Sequence, residues 1–526
     1  MSSSMCHENR LDQDLTYHLS LLKFDKSNDE CEEALLAPML TSVVLNQPAL
    51  APLQYGLLGG VKEIETPYQV GTEIQELKDD PRLFFNVSSP SSVFICGSQG
   101  SGKSHTLSCL LEGCLISSRA GRLLNPLTAV VFHYDTFICD NGGSPCEAAF
   151  LASNPNIKVR VLCAPTNLRT IQGTYSRFNI KVEPLQIDQS DLNTKRMLDL
   201  MAVDRDNGAV PLYLHTVQRI LREMRLLQQS AGSQFNYQDF KSRILSSGLL
   251  PGQLEPLKQR LDTLESFMAP QQAGASYQMK GKSAKKNAGS SWTPKSSQSL
   301  TINQASQLTI VDLSCPCISP DTACSLFNVC FGIFMEQETK IGRIVALDEA
   351  HKVRLTTEIV VMLTLTGFQY MKDSVEAQGF TDTLLSTVRL QRHLGARILV
   401  STQEPTISSD LLSLCSVAIV HRFSSPAWAH ALQAHVAAAA LSLQSTKENQ
   451  AHHDQEPLGI PTKHSIFHRI VHLQVGEALL FSPSAVISVA AKRDRSLDVI
   501  RLGSGYMTIK IRDRLTEDGG KSVISS

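Results

Sequence analysis

The chain has 526 residues, 42% of them apolar, with 49 Lys and Arg set against 50 Asp and Glu. That apolar share can build a large core, the length suits two or three domains, and a net charge of −1 excludes a bulk electrostatic pull on nucleic acid or on an acidic membrane. The 13 cysteines follow no framework spacing, and several sit in apolar runs (Cys96, Cys109, Cys163), so a reducing compartment is expected.

Residues 1–88 read as an arm, loosely structured and packed on a main domain. The first 35 are polar and acidic, and a proline-broken apolar segment, LLAPMLTSVVLNQPALAPLQYGLLGG, follows them. The start of the chain lacks the charged-then-apolar pattern of a secretory signal. No stretch reaches ~18 continuous apolar residues. A soluble intracellular protein without membrane contact is therefore expected.

From residue 89 to about 500 the pattern becomes one of buried strands alternating with helices. Strands are expected at 92–96 (SVFIC), 129–135, 159–164, 308–313, 343–349, 396–403 and 417–423. A helix after the first places Leu107, Leu111 and Cys114 on one face, and another over 212–227 carries Leu214, Val217, Leu221 and Met224 at helical spacing. Continuous β-branched runs separated by helices predict the α/β class, with a mainly parallel central sheet flanked by helices on both faces.

Within this core, 165–270 reads as a helical insertion and 271–305 as a disordered basic linker. Its first thirty residues hold seven Ser, five Lys and no acid. A solvated insertion is the plain reading, and a nucleic-acid tether or import signal at KGKSAKK the sharper one. A second polar gap, 444–459, holds His452 and His453 as loop residues rather than metal ligands. Cys315, Cys317, Cys324 and Cys330 fit no common zinc spacing. His464, His468 and His472 recur every fourth residue, but the apolar residues among them read as a helix end passing into a strand. Residues 501–526 form a C-terminal strand and tail. There YMTIKIRDR alternates like an edge strand, with Arg512 and Arg514 facing water.

The chemistry concentrates first at Gly97-Ser98-Gln99-Gly100-Ser101-Gly102-Lys103-Ser104, which fits G-x-x-x-x-G-K-[ST] between a strand and a helix. Glycines let the backbone curl so that its amides face phosphate oxygens, and the helix start adds its dipole. Lys103 then reaches the β- and γ-phosphates of ATP, and Ser104 is placed to hold magnesium. Hydrolysis also needs a carboxylate for the metal and a base for water. Two strands end in Asp, at Asp312 and Asp348. Only Asp348 has an adjacent acid, so Asp348 is assigned to the metal and Glu349 to the water, against the plainer reading of DEAH as a strand end and helix cap. Gln403, at the end of RILVSTQ, is the candidate sensor of the γ-phosphate or holder of the water. Arg389 and Arg392 are either surface arginines or fingers reaching a neighbouring subunit, and Arg422 ends a further strand where a cation can face phosphate.

The segments GSQGSGKS, LTIVDLS, RIVALDEAH, QRHLGARILVSTQEP and LQVGEALLFSPSAV follow the order seen in the HerA/FtsK group of P-loop ATPases, which includes TraG-type coupling proteins. The chain resembles that group over about 90–490, with poor register between 165 and 300. The resemblance implies a RecA-like core of the additional-strand, catalytic-glutamate class. It implies ATP and magnesium as cofactors and a homo-oligomeric hexameric ring that translocates DNA or, in some members, protein. By it Lys103 and Ser104 bind nucleotide and magnesium, Asp348 and Glu349 do metal and base work, Gln403 is the sensor and Arg392 matches the finger position. Departures are plain: QRH stands where the family has GRK, no N-terminal barrel precedes the core and no winged helix follows it. A DEAH-box helicase is the first alternative, but only 123 residues follow Gln403, too few for a second RecA-like domain. A non-motor NTPase switch or scaffold is the second, and a small-molecule kinase the last.

Overall fold

Side chains alternate across every central strand, and the structure, a computed structural model, uses that alternation to bury the sheet from both sides. It describes residues 17–18, 21, 26–65, 77–140, 142–200, 212–268, 272, 305–337, 340–350, 375–404, 408–435, 466–491 and 497–519. The strands are, in order, β1 (Met39–Thr41), β2 (Tyr55–Glu65), β3 (Arg82–Asn86), β4 (Ser92–Cys96), β5 (Gly121–Arg122), β6 (Thr128–His133), β7 (Lys158–Cys163) and β8 (Lys181–Pro184). They continue with β9 (Gln307–Asp312), β10 (Arg343–Leu347), β11 (Ala396–Thr402), β12 (Val417–His421), β13 (Glu477–Phe481), β14 (Val486–Ala491), β15 (Leu497–Arg501) and β16 (Tyr506–Ile511). The helices that matter most are α1 (Lys103–Leu115), α2 (Thr194–Leu200), α3 (Leu212–Ala231), α4 (Tyr237–Leu245), α5 (Pro251–Ser266), α6 (Pro320–Glu336) and α7 (Val375–Leu394).

All these strands join one sheet. Its first half is parallel, in the order β12-β4-β11-β10-β6-β9-β7-β8. Val93 and Ile95 of β4, Val131 of β6 and Ile344 of β10 pack on one face against Leu107, Leu111 and Cys114 of α1. Phe94, Val130, Phe132 and Val345 pack on the other against Phe327 and Phe331 of α6, Phe380 of α7, and the α3 residues Val217, Leu221 and Met224. Strands buried on both faces lose the polar positions of a half-exposed strand, which is why they read as unbroken apolar runs. The fold is RecA-like α/β, as the sequence predicts.

The pairing of the second half of the sheet was not foreseen. β13 pairs antiparallel with β12, and β16, β2, β3, β1, β14 and β15 follow outward. The supposed arm of 1–88 thus supplies three strands, because Met39, Leu58, Leu83 and Phe85 reach the same apolar cluster as α1. β16 is not an edge strand either, being paired on both sides, with β13 and β2. The 165–270 stretch carries α2–α5 and the outermost parallel strand β8. Residues 273–304, which hold KGKSAKK, the gap with His452 and His453, and His464 lie outside the described residues. His468 and His472 lie on a helix, Ile466–His472, that passes into β13. Cys315, Cys324 and Cys330 are buried thiols and Cys317 is exposed. No helix among the described residues is long and apolar enough to cross a membrane.

Candidate functional site

β4 ends at Cys96, and the chain turns at once through three glycines in the left-handed region: Gly97 at φ +150°, Gly100 at +73° and Gly102 at +110°. A side chain at Gly97 is excluded twice, since a Cβ there meets His421 Cβ at 2.7 Å and Ser101 Oγ at 2.8 Å. α1 starts directly after the loop, so its first backbone N–H groups face the loop's cavity. The loop is pinned from two strands. Ser98 donates its N–H and its Oγ–H to the Arg422 carbonyl beyond β12, at 2.9 and 2.8 Å. Gly476, before β13, donates to the Ser101 carbonyl at 3.3 Å. Lys103 Nζ donates to the Ser98 carbonyl at 2.9 Å. Burial lowers the Lys103 pKa, and the carboxylates of Glu349 and Asp348 oppose that shift, which places them within its field.

Strand order brings those carboxylates to the loop. β11 lies between β4 and β10. Val400 of β11 is level with both Phe94 and Leu347, so Gly97, Gln403 and Asp348-Glu349 leave the sheet at one edge. At ~4.8 Å per ladder step, β10 stands about 10 Å from β4, within reach of a nucleotide's phosphates. β9, with Asp312, stands about 19 Å away and is engaged elsewhere, its carboxylate accepting from the Tyr175 hydroxyl at 2.7 Å and the Ser314 N–H at 2.9 Å. Asp348 is buried. Glu349 has φ +53°, one of two non-glycine residues at positive φ among those described, and such outliers concentrate at functional sites. Gln403 Nε2 reaches Glu349 Oε1 at 3.5 Å.

Arg389 and Arg392 are placed differently. They are exposed at the end of α7, just before β11 begins, and seven residues of β11 separate them from the phosphate edge by ~20 Å. Neither reaches the site of its own chain. Arg422 stands exposed beside the loop.

Four supporting residues escaped the sequence reading. His421 is fully buried and ties β12 to α1. Its Nδ1 donates to the Glu477 carbonyl at 2.9 Å, and its Nε2 accepts from the Thr106 hydroxyl at 2.8 Å. Burial lowers its pKa to about 4, so it is a neutral bolt rather than a cation. Its only signal was a polar residue ending an apolar strand. Glu112, in the last turns of α1 and without exposed surface, accepts from Arg512 at 2.8 Å, from the Thr516 N–H at 3.0 Å and from the Thr516 hydroxyl at 2.6 Å. Arg514 pairs with Glu147 at 2.6 Å. The two arginines expected in water are thus folded inward, because the chain after β16 crosses the back of α1. The others are His133, beside Asp348, and Cys146, which no motif marks.

No protein-family model and no curated protein matches the chain. Among solved structures it is similar to VirB4 of Thermoanaerobacter pseudethanolicus, at 11% identity over 87% of this chain and 96% of that one, TM-score 0.46. It is also similar to the plasmid coupling protein TrwB in complex with the non-hydrolysable GTP analogue GDPNP, at 12% over 86% and 96%, TM-score 0.38. A third is the genome packaging NTPase B204 from Sulfolobus turreted icosahedral virus 2, at 10% over 38% and 67%, TM-score 0.21. The motif order and the strand set between β4 and β10 give the chain the fold of a RecA-like P-loop NTPase of the additional-strand class, resembling the HerA/FtsK/TraG group and divergent from it in sequence.

Proposed function

We propose that the chain binds and hydrolyses ATP with magnesium and works as a homo-oligomeric motor on DNA or another polymer. The observation that carries the enzymatic part is the shared edge of β4, β11 and β10. It gathers a glycine-built phosphate loop, Lys103, Gln403 and the Asp348-Glu349 pair. Loop amides and Lys103 hold the β- and γ-phosphates. Ser104 Oγ and the Asp348 carboxylate are hard oxygen donors suited to magnesium, which when bound neutralises charge on those phosphates. Glu349 takes a proton from the attacking water as its oxygen bonds to the γ-phosphorus. The bond to the β–γ bridging oxygen breaks, and ADP leaves. Gln403, amide toward Glu349, keeps base and water aligned with the γ-phosphate.

The motor part stands on separate grounds. It is supported by the family resemblance and by the position of Arg392, which is exposed and ~20 Å from the phosphate edge of its own chain. The alternative is a switch or scaffold that hydrolyses ATP without moving a polymer. Equilibrium binding of a fluorescent ATP analogue, paired with phosphate release, tests the first step. Lys103→Ala is expected to lose binding or turnover altogether, and a Lys103→Ala protein that still turns over ATP refutes the site.

A further inference from the structure

Asp348 has two neighbours that hydrolysis does not use. His133 ends β6 beside it, and Cys146 precedes the short 3-10 helix Glu147–Ser153. His133 Nδ1 and Cys146 Sγ each lie 3.7 Å from Asp348 Oδ2. One donor atom from each of the three residues falls within 4.8 Å of the others, and all three side chains are buried. A separation of 3.7 Å is too long for an N–H···O bond. Neither ring nitrogen of His133, itself only 5% exposed, has a hydrogen-bond partner among the described residues. The Cys146 thiol donates to Asp348, but a buried imidazole left in that state is costly, so His133 is the member that the cluster's own hydrogen bonds leave unserved.

We propose that His133, Cys146 and Asp348 form a binding site for a divalent ion of the zinc class, held by one nitrogen, one sulfur and one oxygen with a fourth position open. That donor set is what zinc takes, at ~2.0–2.3 Å. Around a tetrahedral centre those lengths put donor atoms about 3.3–3.6 Å apart, within a few tenths of an ångström of the 3.7 Å from Asp348 to each of the other two donors, and all three atoms lie within 4.8 Å of one another. A coordinating divalent ion deprotonates a thiol outright, its proton leaving to solvent. The backbone is fixed behind the sulfur, since the Cys146 N–H donates to the Tyr175 hydroxyl at 2.9 Å and that hydroxyl donates to Asp312 at 2.7 Å. Magnesium, a hard ion that prefers oxygen, is a poor match for this set. The site therefore selects a different metal from the one that accompanies ATP. Because Asp348 is shared, filling the site withdraws that carboxylate from the nucleotide's magnesium and inhibits turnover. This regulatory consequence rests on the hydrolytic reading; binding itself does not.

The test uses the untagged full chain without nucleotide, titrated with cobalt(II) as a spectroscopic stand-in and then with zinc. One equivalent of cobalt is expected to give a thiolate-to-cobalt absorption that zinc abolishes. Cys146→Ser removes the band, and His133→Gln weakens affinity by at least ~10-fold, the low end of what loss of even an outer-shell partner costs. A wild-type protein with no such band overturns the site regardless of how the variants fold. A band that survives in Cys146→Ser assigns the metal to another thiol and overturns it equally. A second arm measures magnesium-dependent turnover with and without zinc within each protein. Zinc inhibition in wild type that shrinks in Cys146→Ser supports the regulatory consequence. Confirmed cobalt binding with equal zinc sensitivity in both proteins refutes that consequence alone, and turnover absent throughout refutes the hydrolytic reading instead.

Discussion

At Glu349 the backbone carries information that the sequence motif alone does not. A non-glycine residue at φ +53° costs on the order of 1–3 kcal/mol, and the surrounding strand ends hold it there. Glu349→Gly is expected to leave folding stability within about 1 kcal/mol of wild type, because glycine adopts this conformation freely at a modest entropic cost, while turnover falls by ~10²–10⁴. Denaturant titration beside an ATPase assay checks both halves, and a strongly destabilised Glu349→Gly protein contradicts the strain assignment. His421 makes a different residue-scale prediction. Its folded pKa is about 4 against ~6.5 in an unfolded chain. As pH falls below 6.5 the unfolded state takes a proton that the folded state refuses. His421's contribution is therefore present above pH 6.5 and is lost progressively down to about 4, in total on the order of 3 kcal/mol. Between pH 7 and pH 5 the melting temperature of His421→Gln should fall less than that of wild type; equal falls would remove His421 from the acid response. The placement of Asp348, Glu349 and Gln403 just past strand ends was legible because the apolar runs before them mark where the strands stop. His421 and Cys146 were not, since a buried histidine and a buried thiol are ordinary core residues until their neighbours are known.

Among the elements, α1 is held at both ends, by the phosphate loop in front and by the segment after β16 behind. Glu112 is the anchor of the second contact, with Arg512 and Thr516 on its carboxylate and Arg514 3.9 Å away. Removing one partner of a buried ion pair leaves the other charge uncompensated, so Glu112→Ala should cost ~3–5 kcal/mol. The midpoint of urea unfolding measures it, and a loss below about 1 kcal/mol would mean that the tail contributes little to the fold. Legibility divides along the sheet. The parallel strands other than the outermost, β8, were readable because burial on both faces writes itself locally as apolar runs, which the half-exposed β8 lacks. The other half was not, because β1 pairs with β14 and β2 with β16, both from the opposite end of the chain, and no local pattern encodes a partner more than 400 residues away. The inward turn of Arg512 and Arg514 was hidden for the same reason: an arginine's partner is a tertiary fact.

For the whole molecule the question is whether one chain is enough. Arg392 lies at the sheet edge opposite its own phosphate loop, so a role in catalysis requires a second copy. Arg392→Ala should then lower turnover by ~10³ or more, the low end for an arginine finger, without weakening nucleotide binding. Sedimentation with a slowly hydrolysed ATP analogue should show assembly, and a strict monomer under nucleotide removes that role. DNA stimulation of turnover separates a motor from a switch. Beneath both lies the hydrolytic claim itself, which Glu349→Gln tests most directly, since it keeps the shape and removes the base. Wild type should hydrolyse ATP with magnesium, and Glu349→Gln should bind ATP with unchanged affinity yet turn it over at least ~100-fold more slowly; turnover equal to wild type would contradict the account.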